Sequence, residues 1–347
     1  CGAAVMVSMV SSTVKVGAVT ISGNTFKNVD VAGTTPDDKV GTRGLVQIAS
    51  SGDYAGTAFD FSDNKATDCG PVLRQLNETV SFDADDKTNL GKLVSDGGAS
   101  TFYTDDTFVA QVGDTKYATL AEAITAVQDG ETIVVNAGEY KLNANLTYTG
   151  KAFTIQAAEG AKVSFDMSAA VALHGAKITF AGVTFDYKTN GDYIGLQHTD
   201  TLVYNDCTVN GKVFLCAASE TFNRCTFVQE VEDYNVWTYG AKSVTFNGCT
   251  FKNVGKTIHA YIEGGNALSE PQKIEMADCT VESSKSNKAV VNIKNKTQAY
   301  DITLTGKNEV SGIAVNETTK SAWYQVETTD STDQSCKAVS VTEVKDD

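Results

Sequence analysis

One eight-residue pattern, written VTFNGCTF at residues 244–251, recurs along this chain and constrains its fold more than any other feature. Its close variants are ITFAGVTF (178–185), LVYNDCTV (202–209), ETFNRCTF (220–227) and IEMADCTV (274–281). Successive copies are 24, 18, 24 and 30 residues apart, measured at the third position of each: Phe180, Tyr204, Phe222, Phe246 and Met276. Repeats of about 20 to 50 residues indicate a stacked, quasi-one-dimensional fold. Because the steps vary, we expect loops of different length to leave each repeat at the same corner.

Each repeat alternates apolar and polar residues on both sides of a short bend. A third apolar segment lies nearby, such as KVFLC at residues 212–216 or TIHAYI at residues 257–262. Three short β segments in about 24 residues, joined by Gly, Asn and Asp, are typical of one coil of a parallel β-helix. The aromatic and β-branched content argues against a helical-repeat solenoid. We predict an all-β fold, a right-handed parallel β-helix solenoid, with worn coils at residues 19–26, 59–66 and 302–310.

Four of the eight cysteines occupy one position of the repeat: Cys207, Cys225, Cys249 and Cys279. Val183 and Asn24 hold the same position in other copies, which an obligatory disulfide or a metal ligand would not permit. A small, polarizable side chain suits the crowded interior of a narrow coil. We predict a ladder of packed thiols and no metal site, with pairing between neighbouring rungs as the alternative.

One segment, KYATLAEAITAVQDGETIVV at residues 116–135, departs from the β pattern. Thr119 and Glu122 have capping-box spacing, and Leu120, Ala123, Ile124 and Val127 fall at helical spacing. Gly130 then supplies a stop signal. The pattern predicts a short amphipathic α-helix near 119–129, which would cover the apolar end and open edge of a β stack.

The longer string VGDTKYATLAEAITAVQDGETIVVNAGEY, residues 112–140, resembles the N-terminal cap of right-handed parallel β-helix (pectin-lyase-like) repeat domains of bacterial secreted and cell-surface proteins. Glu131 stands where that group usually has Asp after the glycine. The resemblance extends to about residue 312 and implies a secreted or cell-surface protein. It is weak guidance to activity, because this fold carries pectin-cleaving enzymes, tailspikes and adhesins alike.

The domain layout follows from the position of this cap. We predict the closing coils of a first β-helix at 1–80, a connector at 81–111, a second β-helix at 112–312, and a tail or capping segment at 313–347. One continuous β-helix with the α-helix against its side is the alternative. The opening CGAAVMVSMV lacks a basic leader, so we expect the chain to belong to a longer multidomain protein.

The charge balance narrows the partners. The 347 residues include 43 acidic and 28 basic side chains, a formal net charge of −15. Such a surface repels nucleic acid and anionic lipid but tolerates cations and neutral glycans. Apolar runs stay shorter than the ~18 residues that a membrane span needs, so we predict no membrane span in this chain.

The variable loops after the repeated strands are the best candidate for a site. They occupy residues 186–193, 228–239, 252–257 and 282–288, and stacking should place them on one edge. The second loop places carboxylates beside aromatic rings: Glu230, Glu232, Asp233, Tyr234, Trp237 and Tyr239. Such a set suits a sugar, whose hydroxyls need polar partners and whose C–H face stacks on rings. The same oxygens could hold Ca²⁺, the one cofactor we consider. The alternative is a solvated acidic loop with Trp237 packed on its neighbour strand.

Signals of catalysis are weak. Polygalacturonase-like motifs (NTD, DD, GHG and RIK) do not occur in order, and Arg224 and the histidines 174, 198 and 259 have the character of turn, wall or surface residues. We therefore predict a non-enzymatic cell-surface or secreted repeat protein, an adhesin or stalk-like module that presents loops to a glycan or a surface protein. A polysaccharide-active lyase or glycoside hydrolase is the alternative.

Overall fold

The computed structural model describes residues 4–8, 11, 13–27, 46–48, 53–54, 57–60, 65–67, 73–75, 92–96, 99–103, 108–117, 119–142, 146–262, 268–294, 298–327 and 338–344. The chain forms two compact units, the first made of residues 1–123 and 136–139, the second of residues 124–135 and 140–347. The domain boundaries predicted at residues 80, 111 and 312 stay predictions.

In the first unit the chain passes repeatedly through short parallel strands. They are β1 (Val5–Val7), β2 (Ala18–Thr20), β3 (Thr25–Lys27), β4 (Val46–Ile48), β5 (Ala58–Asp60), β6 (Lys65–Thr67) and β7 (Leu73–Gln75). Strand β4 pairs with β1 and β7, β5 pairs with β2, and β6 pairs with β3, all in parallel. Val19 lies opposite Phe59, and Phe26 lies opposite Ala66. The two worn repeats are therefore stacked neighbours.

Antiparallel strands follow this parallel stack. Strands β8 (Lys92–Asp96) and β9 (Ala99–Tyr103) form an antiparallel pair, and β9 also pairs antiparallel with β7. The connector expected to be irregular thus contains two strands. A second antiparallel pair joins β10 (Ala110–Val112) and β11 (Thr115–Tyr117).

The mid-chain helix α1 spans Leu120–Ala126. The predicted capping box is confirmed: the amide of Glu122 donates to Thr119 Oγ1 at 3.2 Å, and the amide of Thr119 donates to Glu122 Oε2 at 3.3 Å. The predicted apolar face is buried. The end predicted near residue 129 is wrong, because Gln128 turns away from the helix and its amide donates to Glu131 Oε2 at 2.8 Å. Covering of a β stack by this helix stays a prediction.

The second unit contains three parallel sheets, which the chain enters in turn. Strand β13 (Gly138–Tyr140) lies at the unit boundary. The first sheet runs β12 (Thr132–Val135), β14 (Leu146–Ala157), β16 (Val171–Ala181), β18 (Leu196–Asn205), β21 (Ser219–Asn223), β24 (Ser243–Asn247), β27 (Gln272–Ala277), β30 (Ala299–Thr305) and β33 (Ala338–Val344). The second runs β15 (Val163–Asp166), β17 (Thr184–Tyr187), β19 (Thr208–Gly211), β22 (Thr226–Gln229), β25 (Thr250–Asn253), β28 (Thr280–Ser283) and β31 (Glu309–Ser311). The third runs β20 (Val213–Phe214), β23 (Tyr234–Trp237), β26 (Lys256–Ala260), β29 (Val291–Ile293) and β32 (Tyr324–Val326).

The repeated aromatic position forms the core. The third residues of the repeats lie opposite one another in register, from Phe180 through Tyr204, Phe222 and Phe246 to Met276. The rings of Tyr204 and Phe222 stack with centroids 4.3 Å apart and planes 6° apart. All of these side chains are buried. The predicted all-β, parallel β-helix-like solenoid is confirmed, and its right-handedness stays a prediction. Strands β32 and β33 continue the stack past residue 312.

The bend of each repeat has the same backbone conformation. The residue before the cysteine position has a positive φ of 53° to 66° in six coils: Gly182, Asp206, Arg224, Gly248, Asp278 and Gly306. Ahead of it, the side-chain amide of Asn247 donates to Asn223 Oδ1 at 2.9 Å, and that of Asn223 donates to Asn205 Oδ1 at 2.8 Å. The bend therefore sets the register of successive coils. Arg224 is an exposed turn residue, as predicted, and forms two hydrogen bonds to Asp206.

The four repeat cysteines are buried and free, as predicted. Each thiol faces two backbone carbonyls, one from its own bend and one from the preceding coil. The Sγ of Cys249, for example, donates to Phe222 O at 3.3 Å and to Asn247 O at 3.6 Å. Val183 fills the same position in an earlier coil. In these five coils the position holds a small buried side chain, and cysteine adds a weak donor there, whereas Asn24 and Lys307 are exposed at the equivalent position of other coils. Cys1, Cys69 and Cys336 lie outside the described residues.

Candidate binding surface

The predicted loops meet at the corner where the second sheet passes into the third. Gln229 Nε2 donates to Asn190 Oδ1 at 2.9 Å, the amide of Val254 donates to Gln229 O at 3.0 Å, and the amide of Ser284 donates to Asn253 O at 3.1 Å. A Cβ atom on Gly255 would lie 2.8 Å from the backbone of Glu232, so only glycine permits this close approach. The loops stack in the order of the coils. The expectation of a single corner is wrong in part, because the extra length of the 30-residue step lies between Ala260 of β26 and Gln272 of β27, where the third sheet passes into the first.

The third sheet follows this corner, and its register aligns one row of side chains. From strand to strand, the positions that face one another are Phe214, Trp237, His259, Asn292 and Gln325. The preceding row, Val213, Val236, Ile258 and Val291, packs in the core. Because side chains alternate along a strand, the row that contains Trp237 and His259 lies on the outer face of the sheet.

Aromatic rings gather on this outer face. Trp237 packs on Phe214 with centroids 4.4 Å apart, and Tyr193 contacts Phe214 at 5.4 Å and Tyr239 at 5.3 Å. Trp237 Nε1 donates to Tyr261 O at 2.8 Å, which fixes the indole plane. Tyr193 is 44% exposed, so the group reaches solvent. We call this set the ring cluster: Tyr193, Phe214, Tyr234, Trp237, Tyr239, His259 and Tyr261.

His259 lies in the middle of the ring cluster. Its imidazole stacks on Tyr234 at 4.5 Å and on Tyr261 at 5.7 Å, and it meets Trp237 edge-on at 5.0 Å. Burial, followed by the charges of Lys294 and Lys256, lowers the pKa of His259 to about 4. The imidazole is therefore neutral at physiological pH. Its Nδ1 is buried and has no hydrogen-bond partner within the described part of the chain.

A polar network fixes the other side of the cluster. Asn292 Nδ2 donates to the hydroxyl of Tyr234 at 2.7 Å and to Glu327 Oε2 at 2.9 Å. Lys288 Nζ forms an ion pair with Glu327 at 2.8 Å, and Gln325 Nε2 donates to Asn292 Oδ1 at 2.9 Å. Burial raises the pKa of Tyr234. The Tyr234 ring is thus held across three successive coils.

The predicted carboxylates separate into three environments. Asp233 forms an ion pair with Lys212 at 2.8 Å, and Asp192 pairs with the same ammonium at 2.9 Å. Burial lowers the pKa of Lys212, but the hydrogen bonds to Asp233 and Asp192 outweigh it and leave a net rise. Glu232 is exposed and pairs with Lys285 at 3.3 Å. Glu230 is also exposed and lines a cleft of about 390 Å³ together with Asp186 and Asn190.

The structure therefore brings together only part of the predicted site. Tyr234, Trp237 and Tyr239 join one cluster, with Asp233 at its margin. Sequence reasoning missed Tyr193, Phe214, His259 and Tyr261, which other coils contribute. Aligning KVFLC and TIHAYI with the strand that holds Trp237 could have found Phe214, His259 and Tyr261, but it contains no signal for Tyr193. His174 is half-buried on β16, and the side chain of His198 lies outside the described part.

No protein-family model matches this chain, and no curated protein matches it either. Across the described ranges, no helix has the length and apolar character to cross a membrane. In the same ranges, no three His, Cys, Asp or Glu side chains are grouped so that they could hold a metal ion.

Proposed function

We propose that the chain is a non-enzymatic binding module of a secreted or cell-surface β-helix protein, and that the ring cluster binds a glycan. The observation that supports this proposal is the set of rings on the outer face of the third sheet, contributed by several coils and open to solvent at Tyr193. Sugars stack their C–H faces on such rings while their hydroxyls bind polar groups at the margin.

The rigidity of the cluster favours binding. The Trp237 indole is anchored by the carbonyl of Tyr261, and the Tyr234 hydroxyl is anchored by Asn292. Side chains already held in one conformation lose little entropy when a ligand arrives. The cluster therefore needs no rearrangement to present its rings.

Polar groups at the margin offer partners for hydroxyls. Asp192 and Asp233 flank Lys212 on one side, and Lys256 lies 5.0 Å from the Tyr234 ring centroid on the other. The formal charge of −15 favours a neutral glycan over an acidic one. Calcium is proposed only as an accessory ion, because the cleft lined by Asp186 and Glu230 offers two carboxylates and the described residues contain no group of three metal-binding side chains.

A glycan-array screen with calcium present tests the proposal, with retention and release of shortened products both read out. We expect retention of a neutral glycan, reduced at least about tenfold by Trp237→Ala or Tyr193→Ala, which corresponds to about 1.4 kcal/mol. Val315→Ala is the matched control, since Val315 is 57% exposed and lies outside the ring cluster.

The outcomes separate the two functions under consideration. Retention that survives both ring variants would contradict a role for the cluster. Release of shortened products would instead support the polysaccharide-active lyase or glycoside hydrolase. If the screen shows no retention and no release, a stalk or a module that binds a surface protein is favoured instead.

A further inference from the structure

Next to the ring cluster, buried polar side chains lie where the second sheet passes into the third. Asn253 ends β25, Thr257 lies on β26 and Asn235 lies on β23, and they are 7%, 1% and 0% exposed. Tyr234 lies opposite Lys256, and Val236 lies opposite Ile258, so Asn235 and Thr257 lie at the same level of neighbouring strands, between these two pairs. Neighbouring strands are about 4.8 Å apart, which makes these two side chains direct neighbours. We call Asn235, Asn253 and Thr257 the corner site.

The hydrogen bonds of the corner site are incomplete. Asn253 Nδ2 donates to Thr257 Oγ1 at 3.1 Å. Asn253 Oδ1 and both amide atoms of Asn235 are buried and have no hydrogen-bond partner among the residues that the structure describes. Gln229, which lies opposite Asn253 on the preceding coil, differs: its Nε2 donates to Asn190 Oδ1 and to Tyr234 O, both at 2.9 Å.

Buried amide groups are unfavourable unless they are paired, and in native proteins their partners are other protein groups or ordered water. The chemistry of the orphan atoms decides between water and a cation. Asn235 presents one donor and one acceptor whichever way its amide is turned, and Asn253 adds an acceptor. A cation would bind the oxygens but leave the NH₂ group unpaired, whereas water accepts from the NH₂ group and donates to the oxygens. We propose that the corner site binds ordered water, which links the coil of Asn235 to that of Asn253.

The position of this site connects it to the outer surface. Asn235 directly follows Tyr234 on the strand that carries Trp237, so the water lies next to the ring cluster. The next coil places Val290 opposite Thr257, because Ile258 lies opposite Val291. Val290 is fully buried. The row of buried polar side chains therefore ends at Thr257, and the next coil has an apolar residue at the equivalent position.

A high-resolution crystal structure of the whole chain tests the proposal directly. We expect density for one or two waters about 2.7 to 3.2 Å from the amide atoms of Asn235 and Asn253. Density bound by oxygens alone with cation geometry would overturn the proposal. So would a corner in which the two amides turn and pair with each other.

The variant Asn235→Val supplies a second measurement, since Val290 shows that valine fits the equivalent position of the next coil. If water occupies the corner, the variant removes two of its partners, and the melting temperature falls. If the corner is dry, the variant removes two unpaired polar atoms, and the melting temperature rises. An unchanged or raised melting temperature would therefore overturn the proposal. Thr257→Ser, which keeps the hydroxyl bonded to Asn253, is the matched control.

Discussion

Glu220 carries a carboxyl group into the interior of the second unit. In register it lies between Leu202 and Val244, both fully buried, and it is itself 2% exposed. Its Oε1 accepts from the amide of Ala217 at 3.0 Å, and its Oε2 accepts from the hydroxyl of Tyr204 at 3.3 Å. Burial raises the pKa of Glu220 to about 8, although these hydrogen bonds partly oppose the rise. The carboxyl group is therefore largely protonated in the folded protein at neutral pH.

The groups that face Glu220 remain protonated over the same range. Burial, followed by the charge of Glu220, raises the pKa of Cys216 to about 12 and also raises the pKa values of Tyr187 and Tyr204. None of these three groups changes its charge over the pH range in which Glu220 titrates.

The protonation of Glu220 in the folded and unfolded states determines whether the protein gains or loses stability as the pH rises. The pKa of Glu220 is about 8 when folded and 4.5 at its ordinary value, so between these values the folded state binds the proton and the unfolded state does not. The free energy of unfolding then falls by about 1.4 kcal/mol per pH unit as the pH rises. Across the whole window, the loss is on the order of 4 to 5 kcal/mol. Below this window both states are protonated, and the contribution of Glu220 is constant.

Urea unfolding from about pH 4.5 to 9 measures this slope. Both tryptophans of the chain, Trp237 and Trp323, belong to the second unit, so their fluorescence reports on that unit. Glu220→Gln keeps the shape of the side chain but cannot ionise, so we expect the slope to be lost and the variant to be more stable than the native chain above about pH 8. Glu275→Gln is the control, since Glu275 is exposed on the same sheet. Parallel pH profiles for Glu220→Gln and the native chain would refute the reasoning.

Three further predictions concern the ion pairs by which Lys212 clamps Asp192 and Asp233, and the repeat thiols. Lys212→Met leaves Asp192 and Asp233 without their shared partner, and because those carboxylates can rehydrate, we expect a loss of about 1 to 2 kcal/mol rather than the larger penalty of a fully buried pair. Chemical denaturation measures this loss, and retained stability with retained glycan binding would contradict a clamping role. Cys249→Val, which places at this bend the residue found at Val183, should change the unfolding free energy by about 1 kcal/mol or less. A reductant should leave the melting temperature of the native chain unchanged, and a marked fall would show that the thiols are paired.

The repeated strands could be predicted because several independent signals agree at each copy. Alternation, the aromatic third residue, the polar bend and the small residue after it all recur, and the structure stacks these positions in register. The C-terminal end of α1 was harder to predict. The helix ends at Ala126, and the amide of Gln128 donates to Glu131 rather than continuing the helix to the glycine. The periodicity of apolar residues does not reveal a local hydrogen bond of this kind.

The ring cluster could be predicted only in part, for a geometric reason. Trp237 and Tyr239 are close in sequence, but Tyr193 and Tyr261 reach them from coils separated by loops of unequal length. Which strand residues face one another in the third sheet depends on how each loop turns the corner, and sequence spacing does not determine that. The ion-pair partners of the carboxylates could not be predicted either, since Asp233 is bound by Lys212 from the preceding coil.

The recurring left-handed bend lies apart from the loops, so the residues that set the register of the coils are not the residues that vary in number. Each coil acquires its register at residues such as Asp206, Gly248 and Asp278, one short strand before the chain reaches the loops that follow the second sheet. The distance from one bend to the next can therefore range from 18 to 30 residues without disturbing the stack. Loops between the second and third sheets, or between the third and first, could be exchanged for unrelated segments while the asparagine, the bend and the thiol stay in place. A chain built this way can change what it recognises by replacing one loop at a time, while the framework that presents those loops stays the same.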